Sequence, residues 1–173
     1  RHELGVLRRH RLGDTDAALD VWADLVEAHE VHEPTVGELE TLLSEGQALE
    51  RVAALLEPVY RQREDWPGLL GVLQARRDAS EEPEYRTPAA LEIAAIQQEH
   101  IGDVGGAYET LEGAYAEAPN DPSLRGALGR VATAAARHEA LCDALAASLD
   151  RISEEQVQVD CMRALARVLD EQL

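Results

Sequence analysis

A Gly-Asp turn between two stretches of helical period occurs twice in this chain, 89 residues apart, and it narrows the possible folds more than any other feature. Ile101-Gly102-Asp103-Val104-Gly105-Gly106-Ala107-Tyr108 runs on through Leu111, Ala114 and Tyr115 to Ala118-Pro119-Asn120-Asp121-Pro122. That stretch reads as the hinge and second helix of a helical hairpin, closed by a Pro-Asn-Asp-Pro turn. Leu12-Gly13-Asp14-Thr15-Asp16-Ala17-Ala18-Leu19 is a fainter copy. At this offset Leu4, Leu7, Ala18, Trp22, Leu39 and Leu42 fall opposite Ile93, Ile96, Ala107, Leu111, Leu128 and Val131. Strict identity is low, but the apolar positions and the turn coincide, as they do between internal repeats.

The remaining segments follow the same period. A short helix over residues 2–11 precedes the first turn, and a second carries Ala18, Val21, Trp22, Leu25 and Val26 on one stripe before Glu33-Pro34 ends it. Thr35-Val36-Gly37-Glu38 matches a capping box and opens a third helix, which Gly46 terminates. A fourth spans about 49–63, with Pro58 predicting a kink or a fresh start inside it. Asp65-Trp66-Pro67 starts a fifth. Residues 78–88 form the one polar, proline-bearing connection of any length, a soft boundary within a single 173-residue domain; Thr87-Pro88 is placed to cap the next helix, which could also start within the stretch. Helices over about 104–117, from Asp121-Pro122, and over about 138–151 follow, and Ser153-Glu154-Glu155-Gln156 offers a second capping box before the last. About ten helices joined by short connections make antiparallel hairpins. Hydrophobic residues are 45% of the chain but aromatics only 3%, with no Phe, a composition that suits closely packed helices and disfavours strands. The fold class is all-α.

This pattern resembles the tetratricopeptide repeat. Residues 88–121 look like one unit: Ala107 and Ala114 stand at the small positions of its second helix, Pro119 at its terminal proline, and Leu128-Gly129 at the Leu-Gly of the next unit. The first copy is looser, since Leu25 and Glu30 replace the small residue and the proline, and residues 49–85 depart from the unit length. The resemblance implies a right-handed α-solenoid whose concave groove receives peptides or other proteins. Carried onto the best-matching first helices, that groove would hold Glu92 and Glu99, with Arg130 in the next unit, and Glu3 and His10 in the looser copy.

Charge limits the partners. The net charge is −18, from 34 acids against 16 bases that are all Arg. Such a surface repels nucleic acid and anionic lipid. A GC-rich genome would account for Arg without Lys, and high salt tolerance is a second reason for the acidity. From Leu12 to Glu50 there are eleven acids and no Arg, while Arg1, Arg8, Arg9 and Arg11 precede that run. The acidic face is either a solvated surface, a receiver for an Arg/Lys-rich segment, or a contact for the basic end of a neighbouring copy. The chain opens at Arg1, carries no signal peptide and has no apolar run near the roughly 20 residues of a membrane span. It reads as part of a longer protein, with a cytoplasmic setting as the working expectation.

Chemistry finds little support. His29 and His32 at i, i+3 beside Glu30 and Glu33 could approach a metal ion, but His-Glu-Val-His is not the zinc-protease spacing, and no metal or other cofactor is expected. Gly102-Asp103-Val104-Gly105-Gly106 follows a helix and lacks the Gly-Lys-Ser/Thr of a phosphate loop. Cys142 and Cys161 read as small buried apolar residues, and Trp22 and Trp66 as packing residues. The sequence therefore describes a non-catalytic scaffold that binds a peptide or protein. A structural spacer or self-associating segment is the alternative, and an enzyme the least favoured.

Overall fold

Helix starts and stops in this chain are written mainly by Asp, Pro and glycine, and the computed structural model shows where each acts. It describes residues 1–27 and 32–172, all-helical among those residues and with no strand. The chain divides into two units, Arg1–Ser80 and Glu81–Leu173, the division falling inside the polar stretch 78–88.

The first unit contains α1 (His2–Leu12), α2 (Thr15–Glu27), α3 (Glu33–Ser44), α4 (Leu49–Arg63) and α5 (Trp66–Ala79). Consecutive helices pack in pairs, α1 on α2, α3 on α4 and α4 on α5, with α2 also touching α4 and α1 touching α3. Ala18, Leu19, Trp22, Leu39, Leu42, Val52 and Leu56 are buried between them. The second unit contains α6 (Pro83–Ile96), a π-helical turn Gln97–Ile101, and α7 (Val104–Glu117). Then follow α8 (Pro122–Ala134), α9 (His138–Ser148), a 3-10 turn Leu149–Arg151 and α10 (Glu155–Gln172). Each helix here packs on the next, and α6 also meets α8 and α7 meets α9. One buried cluster runs through all five, with Ala107, Tyr108, Leu111, Tyr115, Leu124, Leu128 and Leu145 at its centre.

The two Gly-Asp turns have the same local geometry. Gly13 and Gly102 are both left-handed, at φ 67° and 80°. The amide of Asp14 donates to Arg8 O at 3.1 Å and that of Asp103 to Gln97 O at 2.7 Å, six residues back in each case. Each Asp then accepts from the amide three residues on, Ala17 at 3.0 Å and Gly106 at 2.8 Å, capping α2 and α7. Behind the turns the copies diverge. α6 buries Ile93 and Ile96, whereas Leu4 and Leu7 of α1 are 47% and 50% exposed. α1 buries only Gly5, against the fully enclosed Trp22. In the second copy those positions are Ala94 and Leu111, so a larger residue on one helix goes with a smaller one on the other.

Several helix ends differ from expectation. Glu33-Pro34 opens α3, with Pro34 in its first turn, so it does not terminate α2, and Thr35 is no cap. Thr35 is instead buried, its hydroxyl 3.1 Å from ring nitrogens of both His2 and His32. α4 continues through Pro58 without a break in helix, Pro58 itself being exposed. α6 takes the earlier of its two expected starts, at Pro83 inside the polar stretch and four residues before Thr87, because Pro83 fits the first turn as well, and this leaves only residues 80–82 as a link. The second capping box does not form either. Ser153 lies before α10, where its amide donates to Asn120 Oδ1 at 3.2 Å.

Candidate functional site

α8 is the element on which a site is built. Asp121 caps it, its Oδ1 accepting from the amides of Ser123 at 2.7 Å and Leu124 at 3.2 Å, and Pro122 occupies the first turn. Leu124, Ala127, Leu128, Val131 and Ala132 point inward, so the opposite face keeps Pro122, Gly126 and Arg130 at intervals of four along one exposed ridge. Gly126 keeps the ridge low, and Arg130 Nη1 lies 3.6 Å from where a Cβ on Gly126 would stand.

A hollow lies on each side of the ridge. Between α6 and α8 it measures about 630 Å³, with Leu91, Ala94 and Leu111 in its floor and Glu99 and Arg130 at its polar edge. Between α8 and α10 it measures about 450 Å³, lined by Leu141, Leu145, Ala164 and Val168 together with Arg125, Arg130, Arg167 and His138. Pro122, Gly126 and Arg130 border both. Among the described residues no acid lines the second hollow.

Of the residues singled out from the repeat pattern, Glu99 and Arg130 come together in the α6–α8 hollow. Glu92 is half-buried on α6 and does not line it. Glu3 and His10 sit on α1 in the other unit, Glu3 exposed in the first turn and His10 tied at 3.2 Å to Glu38. Sequence reading missed Arg125, His138 and Arg167. The available signal was the stretch from Pro122 to His138, the longest acid-free run in the chain, which holds three Arg.

The acidic run 12–50 is largely occupied within its own unit. Arg51 of α4 bonds Asp16 and Asp20 of α2 at 2.6 and 2.5 Å. Arg63 bonds Glu33 at 2.7 Å, and Arg76 bonds Glu50 at 2.8 Å. Arg9, only 9% exposed, reaches Glu38 at 2.6 Å and Glu45 at 2.8 Å. These acids tie α2 and α3 to α1 and α4, and Glu50 joins α4 to α5. Part of the basic start of the chain is consumed in the same way, with Arg1 near Asp24 and Arg8 donating to Ala17 O.

Tyrosine and cysteine side chains behave as core. Burial lifts the Tyr115 phenol up to about 12, with Ser148 Oγ at 2.9 Å and Cys161 Sγ at 3.5 Å beside it. Burial and the Glu112 carboxylate raise Tyr108, and burial and Glu40 raise Tyr60. Cys142 and Cys161 are free and buried, and desolvation pushes the Cys142 thiol up, away from nucleophilic use. Among the described residues no group of three or more His, Cys, Asp or Glu side chains could hold a metal ion, and no helix is long and apolar enough to cross a membrane. The His29–His32 pairing lies outside the described residues, and His32 itself faces Thr35 and the His2 ring, 4.8 Å away.

No family model matches the chain, and no curated protein or solved structure matches it either. The resemblance to tetratricopeptide repeats therefore rests on the residue pattern alone.

Proposed function

We propose that this chain is a non-catalytic interaction module of stacked, tetratricopeptide-like hairpins, a right-handed α-solenoid in plan, and that the α6–α8 hollow receives a segment of a partner protein. The supporting observation is that Glu99 and Arg130, chosen by repeat register, line one hollow with an apolar floor. Leu91, Ala94 and Leu111 offer side-chain burial to the partner, while a carboxylate and a guanidinium of opposite sign at the edge select a mixed-charge segment and fix its direction. A preformed helical groove leaves most of the ordering to the ligand. Because the acids of 12–50 are mostly paired with Arg, an all-basic partner has less to gain from that face than their number suggests. The test is selection of displayed random peptides on the full chain. Enriched sequences should lose binding to the Glu99→Arg plus Arg130→Glu variant and keep it with Glu3→Arg. Peptides indifferent to the double swap would refute the groove.

A second reading, self-association or a spacer role, is favoured by one observation: Leu4 and Leu7 on α1, and Met162 and Leu169 on α10, are large apolar side chains 46–50% exposed. Sedimentation across a concentration series should then show association that Leu7→Glu or Leu169→Glu abolishes.

A further inference from the structure

We propose that the α8–α10 hollow is a binding site for an amphiphilic organic anion, an apolar body carrying one carboxylate or phosphate head. In a chain of net charge −18, a hollow bordered among the described residues by three guanidiniums and no carboxylate runs against the average surface. Elsewhere Arg9, Arg51, Arg63, Arg76 and Arg86 are each bonded to acids. Among the described residues Arg125, Arg130 and Arg167 have no such partner. Two lining residues, Arg125 and His138, each also hold a nitrogen (Nη1 and Nδ1) enclosed by protein without a hydrogen-bond partner. A guanidinium with no carboxylate partner keeps donors free for an incoming anionic oxygen, in a charge-assisted hydrogen bond. Leu141, Leu145 and Val168 line the same hollow, so it offers apolar surface as well as charge. Its volume of about 450 Å³ falls in the range of small-molecule pockets.

The glycines complete the case. A Cβ on Gly129 would meet no atom within 4 Å, so a side chain there would project into open space of this hollow without disturbing the helix. The site stands apart from the peptide reading, since Gly129 and Arg167 line only this hollow.

The experiment is calorimetric titration of the full chain with octyl phosphate, octanoate, inorganic phosphate and octylammonium at low and high salt. Octyl phosphate or octanoate, whichever head the guanidiniums prefer, should bind one per chain and weaken as salt rises. Arg167→Glu should lower that affinity about tenfold or more, and Gly129→Leu should abolish it while circular dichroism stays helical. Inorganic phosphate alone should bind more weakly than octyl phosphate. Octylammonium binding as tightly as the anions would overturn the proposal, as would affinity unchanged in both variants. Neither result would bear on peptides held through Glu99.

Discussion

Replacing Gly5 by alanine sets two effects of known size against each other. Gly5 lies inside α1 with no left-handed φ, so helix propensity alone makes alanine better by about 1 kcal/mol. The added methyl, however, would overlap the Trp22 indole, with Cε2 at 2.5 Å and Cδ1 at 2.8 Å and Nε1 closer still. Comfortable carbon contacts are about 3.5–4.0 Å, so α1 or the ring must move by roughly 1 Å. Trp22 is fully enclosed and has nowhere to go without disturbing the core. Overpacking of this kind costs about 1–3 kcal/mol. Gly37 of α3 supplies the control within the same unit, since a Cβ there meets nothing within 4 Å. Gly37→Ala should therefore stabilise by about 1 kcal/mol, and Gly5→Ala should fall below it by about 1–3 kcal/mol, the overpacking alone. Trp22 and Trp66 are the only tryptophans and both lie in the first unit, so urea unfolding followed by their fluorescence reads that unit directly. A second arm uses the counterpart pair Ala94 and Leu111: in a Trp22→Leu background the penalty of Gly5→Ala should vanish. Should Gly5→Ala match Gly37→Ala in unmodified protein, the close approach of α1 to Trp22 would be wrong.

Asp103→Ala should destabilise the second unit by about 1 kcal/mol through loss of the cap on α7, seen as a lower denaturant midpoint by circular dichroism. Arg9→Ala removes a guanidinium only 9% exposed that bonds both Glu38 and Glu45 and should cost about 1–2 kcal/mol, read by tryptophan fluorescence. Tyr115 stays protonated in the fold up to about 12 from an ordinary value of 10, so its contribution is complete below pH 10 and is lost as pH rises toward 12. Tyr115→Phe should flatten the alkaline limb of the stability profile between those values. Neither thiol should react with a disulfide reagent until the protein unfolds.

Periodicity and turn chemistry made much of this fold legible. The Gly13-Asp14 and Gly102-Asp103 turns, the Asp65 and Asp121 caps and the buried stripes all follow from local rules. Helix starts went astray where two local signals competed. Pro34 and Pro83 each fit a first turn, and the hydroxyls expected to cap are engaged elsewhere: Thr35 by His2 and the neighbouring His32, Ser153 by Asn120. Leu4 and Leu7 have the pattern of a buried face yet are half-exposed, because Gly5 is what meets Trp22. Of the site residues, Glu99 and Arg130 could be placed by repeat register. Arg167 could not be associated with Arg125 and His138, since no spacing rule links α10 to α8. Only the acid-free run after Asp121 hinted that this helix had a different electrostatic role.

The placement of α6 beside α8, with Glu99 and Arg130 opening on one hollow, can be measured in solution by paramagnetic relaxation. A spin label attached through Glu99→Cys, with both native thiols buried, should broaden the amides of Gly126, Ala127 and Arg130 on α8. Sharp signals at those three positions, with broadening confined to α6 and its own turn, would contradict the account.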